Sequence, residues 1–561
     1  MLCLFICDRV WQLSLMQKVL TAEEMRAVDR KTTERYGISS LLLMENAANA
    51  AARVITEKIG GSIKEKSVLI LCGRGNNGGD GAALGRILWC MGADVEVCLF
   101  GQVENTSGDA RENFEILRKI TGAERFELNR ADLSFEEISS LDEWLEYDSL
   151  NFHCDDPDII VDALFGTGLT RPLEGVFEQA AAFVSAFCAR CDESETLVVS
   201  LDVPSGVCAD SGECAGAVAH VDVTVTFTAP KLANVVPPAS NACGELVVAN
   251  IGSPCEIVNE AVSRTYLAEA DDVAEWLSKT DFTTASYKYR RGHALLVAGS
   301  RNYSGAAVLC ADAAIRSGTG LVTVAIPSSC LNGIAARTSP EVMVHGIAET
   351  SGGAAGAEAF DEISEFWSNA DCVAVGSGLS SKEPETAELV RKMVENRRTP
   401  MVIDADGLNS LSPFAISEAG QFSLILTPHD GEFMKLLGVT DKERIGDRVS
   451  AAREFATRHK VILVLKGERA LIAGPDGTVV VNPTGNSGLG KAGNGDTLCG
   501  LIAGFIAQAV QMNVDIFETV VAAVYFAGLA GDIAEQKYGK RVMSASDVRD
   551  SFADAFQILS C

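Results

Sequence analysis

The chain has 561 residues, with 47 basic against 76 acidic side chains and a formal charge of −29. One hydrophobic core does not extend over that length, so two or more domains are expected. The acidic balance leaves no basic stripe to displace counterions, which argues against a nucleic-acid partner.

Residues 1–15 are apolar, but Asp8 and Arg9 interrupt them, and neither a basic leader nor a small-residue cleavage site accompanies them. They read as an extension, with the first domain opening near Met16. Thr21 and Glu24 have the spacing of a helix capping box. β-rich runs at 67–72, 94–99, 158–163, 196–202, 222–227 and 245–250 then alternate with helical stretches. That pattern predicts an α/β fold with a parallel, doubly wound, Rossmann-like sheet. Residues 104–157 are acidic and weakly patterned, and read as surface helices and a loop between the second and third strands. The pattern lapses at 251–265, so domains are expected at 16–255 and 265–555. The second alternation has strands near 293–298, 321–326, 371–376, 400–404, 423–427, 461–466 and 478–482. Two long apolar helices, about 495–509 and 516–533, close it. No apolar run reads as membrane-spanning. Most of the 17 cysteines sit among apolar or small residues, which predicts reduced thiols and a cytoplasmic chain. The one C-x-x-C, Cys188 to Cys191, has no second pair and reads as incidental.

The run Val68 to Leu71 leads into Gly73-Arg74-Gly75-Asn76-Asn77-Gly78-Gly79-Asp80-Gly81, and an apolar helix follows at once. A strand, a tight turn and a helix N-terminus point free backbone N–H groups at an anion. The loop has neither the G-x-G-x-x-G spacing of dinucleotide folds nor the Gly-Lys-Ser/Thr of a Walker loop. Two further strands end in acids and glycines: Asp162 before Gly166-Thr167-Gly168-Leu169, and Asp202 before Val203-Pro204-Ser205-Gly206. Ligands of open α/β sheets bind outside such carboxyl ends.

Together with Leu43-Met44-Glu45-Asn46-Ala47-Ala48, these motifs resemble, in the same order over about residues 16–255, the YjeF N-terminal family of NAD(P)H-hydrate epimerases. The resemblance implies a potassium ion held by Asn77, Asp162 and Ser205, all oxygen donors. It implies that the dinucleotide hydrate contacts Asn76, Asn77, Gly78, Gly79 and Asp80, the stretch Gly166, Thr167, Gly168, Leu169, Thr170, Arg171 and Pro172, and Asp202. Asp162 is the expected acid/base at C6 of the hydrated ring.

In the second half, Gly493-Asn494-Gly495-Asp496 stands at the start of an apolar helix. Its N–H groups can cradle a phosphoryl group in transfer, and its acid can take the proton of an attacking hydroxyl. The motif resembles the ribokinase-like fold, an α/β sandwich. Ser304-Gly305-Ala306, Gly376-Ser377-Gly378, Asp404-Ala405-Asp406-Gly407, Thr427-Pro428-His429 and Lys466-Gly467 narrow the likeness to the NAD(P)H-hydrate dehydratase family, over about 265–555. That resemblance implies hydrate contacts from Ala306, Gly378, His429 and Asp496. It implies nucleotide contacts from Lys466, Gly467, Glu468, Arg469, Ala470 and Gly495, with Asp496 as catalytic base. The chain departs from the family at Tyr287-Lys288, Ala470, Lys491 and Ala492-Gly493-Asn494-Gly495-Asp496.

An epimerase joined to a dehydratase resembles the bifunctional NAD(P)H-hydrate repair family. The likeness implies interconversion of the R and S hydrates and ADP-dependent dehydration of the S form, with Mg2+, releasing AMP and phosphate. A homo-oligomer with small-molecule substrates and no membrane partner is expected. The alternative is a small-alcohol kinase joined to a non-catalytic binding module.

Overall fold

The computed structural model describes residues 16–122, 131–151, 156–169, 171–189, 196–214, 216–416, 420–440 and 447–560. The expectation of an N-terminal extension, and Cys191 of the C-x-x-C, fall outside these. The chain divides into two compact units. One is Lys18–Ser263; the other is Arg264–Cys561 together with the residues through Gln17.

In the first unit, seven strands form one parallel sheet: β1 (Ser67–Cys72), β2 (Asp94–Phe100), β3 (Leu133–Ile138), β4 (Ile159–Ala163), β5 (Leu197–Leu201), β6 (Val223–Phe227) and β7 (Glu245–Ala249). The order is β3-β2-β1-β4-β5-β6-β7. The chain reverses its winding between β1 and β4, which opens a crevice at their carboxyl ends. Strands buried on both faces read as unbroken apolar runs, as Val68 to Leu71 and Ile159 to Val161 do. β3 corrects the expectation of helices and loop over 104–157. It pairs on one side only, and its Glu136 and Glu137 are exposed, so it lacks the apolar run of a central strand.

Helices α1 (Ala22–Tyr36), α2 (Ser40–Lys58) and α3 (Asn76–Cys90) frame the crevice. The capping box of α1 forms as expected: Glu24 N–H donates to Thr21 Oγ1 at 3.2 Å, and Thr21 N–H to Glu24 Oε2 at 3.0 Å. α4 (Gly108–Thr121) packs on α3 through Ala110 and Phe114, both buried.

In the second unit ten strands lie in one sheet: β8 (Thr265–Leu267), β9 (His293–Val297), β10 (Leu321–Pro327), β11 (Met343–Ile347), β12 (Cys372–Val375), β13 (Met401–Ile403), β14 (Leu424–Leu426), β15 (Ile462–Leu465), β16 (Leu471–Ala473) and β17 (Val479–Val481). Their order is β8-β17-β16-β15-β14-β13-β12-β9-β10-β11. The pairs β15–β16 and β16–β17 are antiparallel. Helix α5 (Ser304–Arg316) and the long α6 (Asn494–Met512) and α7 (Ile516–Tyr538) cover it, with Phe505 and Phe526 fully buried between them. By length and composition α7 is apolar enough to cross a membrane, contrary to the sequence reading that no run reaches that class. In this fold most of it is buried core helix.

Candidate active sites

In the first unit a cavity of about 490 Å3 lies at the β1–β4 switch point. Its lining includes Arg74, Gly75, Asn76 and Asn77 after β1, Leu164 to Gly168 after β4, Asp202 after β5, and Phe227 and Lys231 after β6. Met25, Arg26 and Asp29 of α1 close it, with Asp80 of α3. Met25 and Asp29 are four residues apart and therefore share a helix face.

Gly75 is the N-cap of α3, and a side chain built there meets nothing within 4 Å, so its backbone is open to a ligand. Gly78 and Gly79 are glycine for another reason. A Cβ on Gly78 would lie 1.8 Å from the Gly73 carbonyl oxygen, and one on Gly79 would lie 2.7 Å from Ala110 Cα. They let α3 start tight on its own loop and against α4, and they do not line the cavity. Leu169, Arg171 and Pro172 do not line it either, and Thr170 lies outside the described residues.

Asp162 is 0 % exposed and sits beneath the cavity rather than in it. Its Oδ1 accepts from Ser205 Oγ at 2.6 Å and Leu164 N at 3.2 Å; its Oδ2 accepts from Ser205 N at 2.7 Å. Burial pushes its pKa up, against these hydrogen bonds. A buried carboxylate that already accepts three hydrogen bonds and is not on the cavity lining is a poor proton acceptor for a ligand there, so the expected acid/base role suits its position less well than a cation-binding one. Ser205 Oγ also accepts from Phe165 N at 3.0 Å, and the next residue, Gly166, packs against the Asn77 side chain. Asn77 is buried, and both its amide atoms lack a hydrogen-bond partner. A buried unpartnered carbonyl oxygen is costly, and a cation offsets that cost. The donor set of Asn77, Asp162 and Ser205 therefore fits a hard monovalent cation.

Two residues that the sequence did not single out complete the polar wall. Lys231 is 1 % exposed, forms a short ion pair with Asp202, and donates to Thr226 Oγ1 at 3.0 Å. Asp202 has a φ of 68°, left-handed backbone for a non-glycine residue, which turns its carboxylate toward that lysine. Asp29 has a buried Oδ1 with no partner. Burial raises its pKa to about 6, with Lys231 opposing and Asp202 adding to the shift. Burial pushes Asp80 well above the usual carboxylate range, and the charges of Asp202 and Asp29 add to it. Neither Asp29 nor Lys231 lies in a glycine-rich turn. Lys231 has one sequence signal, an ionisable residue inside an otherwise apolar or small-residue stretch, whereas Asp29 sits in a charged helix and has none.

In the second unit the focus is the start of α6. Lys466, at the end of β15, donates from Nζ to Asp404 Oδ1 at 2.7 Å, and Thr427 Oγ1 donates to the same oxygen at 2.7 Å. A side chain on Gly495 would come within 3.6 Å of Lys466 Nζ and 3.7 Å of Asp404 Oδ2. The open N-terminus of α6 thus stands over a lysine–aspartate pair, where free N–H groups and a cation both favour an anion. Burial lowers the pKa of Lys466, but Asp404 and Glu432 outweigh it and hold the ammonium charged. Asp496 is raised to about 6, first by burial and then by Asp404, while Ser377 and Lys466 pull it down. A carboxylate of that pKa suits proton abstraction near neutrality.

Gly378 (φ 67°) lies against Ala306 and Tyr303, where a Cβ would come within 2.8 Å of either. This brings two expected hydrate contacts together. His429 caps its helix, accepting at Nδ1 from Gly431 N at 3.0 Å, and bridges to Lys466 through the backbone. Gly467 packs on the Arg448 guanidinium, which donates to the Lys466 carbonyl at 3.0 Å and pairs with Asp430. Glu468, Arg469 and Ala470 form the turn between β15 and β16, with Arg469 donating to the Pro483 carbonyl at 2.9 Å. Lys491 is turned away, its ammonium held by the Arg541 and Met543 carbonyls at 2.6 and 2.7 Å. Asp404 was legible only as part of a motif; the structure makes it the partner that Lys466 and Asp496 share.

Comparison with known proteins bears on both units. Residues 40–233 match the family described as YjeF-related protein N-terminus, and residues 294–553 the family described as NAD(P)H-hydrate dehydratase. The bifunctional NAD(P)H-hydrate repair enzyme of Moorella thermoacetica is 37 % identical, over 95 % of this chain and 95 % of its own. That of Thermofilum pendens is 35 % identical, over 97 % of each. A solved structure of the ADP/ATP-dependent NAD(P)H-hydrate dehydratase from Bacillus subtilis, crystallised with ATP and Mg2+, is 26 % identical. It matches 52 % of this chain and 98 % of its own, with a TM-score of 0.45.

Proposed function

The chain belongs to the bifunctional NAD(P)H-hydrate repair family, and from that premise we propose that its first unit interconverts the R and S hydrates of NAD(P)H while its second unit dehydrates the S form. The observation that carries this reading is the pairing of two differently built sites in one chain. The first is a cavity walled by carboxylates and Lys231, beside the unpartnered Asn77 amide. The second has a phosphoryl cradle with a base beside it.

In the first unit the open backbone at Gly75, with Arg74 and Asn76, suits the pyrophosphate of the dinucleotide. Asn77, Asp162 and Ser205 would hold potassium, which would supply a fixed positive charge at the floor of the site.

In the second unit, Asp496 takes the proton of the C6 hydroxyl, and the oxygen attacks the terminal phosphorus of ADP as AMP leaves. The N–H groups of Gly495 and Asp496, with Lys466, receive the transferring charge. The C6–O bond then breaks with its electrons to the leaving phosphate, the ring nitrogen lone pair fills the gap, and loss of a C5 proton restores the ring double bond. Phosphate leaves far more readily than hydroxide, which is why a kinase-like site can serve a lyase. Among the described residues no three His, Cys, Asp or Glu side chains cluster to hold a metal. The carboxylates nearest the cradle, Asp404 and Asp496, fit Mg2+ that arrives on the nucleotide, which keeps most of its ligands as phosphate oxygens and water.

The test is incubation of the S hydrate with ADP and, separately, ATP, followed by the absorbance of the reduced nicotinamide. Recovery with ADP supports the reading. Phosphorylation of a small alcohol without recovery from the hydrate would replace it with the kinase alternative.

A further inference from the structure

The epimerase reading requires a group that exchanges a proton with the C6 hydroxyl, and Asp162 lies below the cavity with its oxygens engaged. Four other ionisable groups converge on the cavity wall: Asp29 from α1, Asp80 from α3, Asp202 after β5 and Lys231 after β6. Three carboxylates facing one lysine form a poor seat for phosphate and a good one for a neutral, hydroxyl-bearing ring. They are not equivalent. Asp202 is committed to Lys231 and to Thr226 Oγ1, 3.1 Å away. Asp80 is held well above the usual carboxylate range by burial, and the charges of Asp202 and Asp29 add to that. Of these four groups, Asp29 combines a place on the lining with a buried oxygen that has no hydrogen-bond partner.

Building on the epimerase reading, we propose that Asp29 is a catalytic residue, the base that takes the C6 hydroxyl proton and returns it on the other face. As Asp29 accepts the proton, the O–H electrons form C6=O and the C6–N1 pair moves onto N1, conjugated through the ring alkene to the carboxamide. The proton passes to N1, and the open form turns about the C5–C6 bond. N1 then attacks the opposite face of the aldehyde, its proton returns through Asp29 to the oxygen, and the ring closes inverted at C6. No oxidant or further reactant is needed. Lys231 and Asp202 set the charge that Asp29 carries; Arg26, Arg74 and Asp109 are the other charged groups on the lining. A base of pKa about 6 gives a rate that rises with pH through that value.

The experiment follows interconversion of the separated epimers by chromatography, on the full chain without nucleotide, so that the second site is silent. Asp29→Asn is expected to lower kcat about 100-fold, to change KM by no more than about threefold, and to abolish the rise in rate near pH 6. Asp29→Glu is expected to restore part of the rate with a displaced pH profile. A folded Asp29→Asn chain that keeps more than about a tenth of kcat, or that loses activity through KM alone, overturns the proposal. If Asp29→Asn does not fold, the profile of Asp29→Glu decides: displacement supports the proposal and an unchanged profile overturns it. A wild-type chain that does not speed interconversion removes the epimerase reading itself and the proposal with it. A competent wild type matched by its Asp29 variants removes the proposal alone.

Discussion

The raised carboxyl of Asp496 ties catalysis to stability. Its native pKa of about 6 lies above that of an exposed aspartate because burial and Asp404 disfavour the charge. Between the two values the native state holds a proton that the unfolded chain has released. Stability therefore falls as pH rises through that window, and the ionised group destabilises the unit at neutrality. Asp496→Asn is expected to raise the melting temperature of the second unit at pH 7, by a free energy of about 3 kcal/mol at most. The gain should disappear below about pH 4. The same substitution should lower dehydration kcat at least about 100-fold. Melting curves at two pH values and the rate together check both signs. Asn77 provides a second residue-scale prediction. If its orphaned carbonyl binds potassium, KCl should raise the melting temperature of the first unit relative to a larger cation at equal ionic strength, by mass action. Asn77→Ala should abolish the difference.

At the scale of an element, the start of α3 carries glycines of two kinds. Gly78 and Gly79 are excluded from carrying a Cβ by the Gly73 carbonyl and by α4, whereas Gly75 faces open space. Gly78→Ala is expected to destabilise the first unit by about 3 kcal/mol or more, through overpacking against backbone that cannot yield. Gly75→Ala should leave the denaturation midpoint nearly unchanged and weaken hydrate binding. Denaturant titration and KM separate the two. The sequence showed this loop as one glycine-rich anion seat because what forbids a side chain appears only on folding: the loop's own Gly73 carbonyl turns back on Gly78, and Ala110 of α4 meets Gly79 in space. The central strands were legible for the opposite reason: a strand buried on both faces records its place as a local apolar run. Edge strand β3 and the β15–β16 hairpin turn left weaker records. Asp29 and Lys231 left almost none, since their significance lies in convergence from α1 and from the end of β6.

At the scale of the whole chain, each unit has hydrophobic clusters of its own and builds its site from its own strand ends. The two activities should therefore separate by point substitution. Asp496→Asn should stop dehydration and leave epimer exchange intact, as measured by dehydration of the S hydrate and exchange of the R hydrate on the same preparation. Loss of both activities would contradict independent sites. The full chain supplied with both epimers of hydrated NADH, ADP, Mg2+ and K+ tests the pairing of the activities most directly, through the absorbance of the reduced nicotinamide. Enzymatic epimer exchange coupled to dehydration predicts recovery from both epimers in one continuous phase. A burst that consumes only the S epimer would contradict the epimerase, and no recovery at all would contradict the dehydratase.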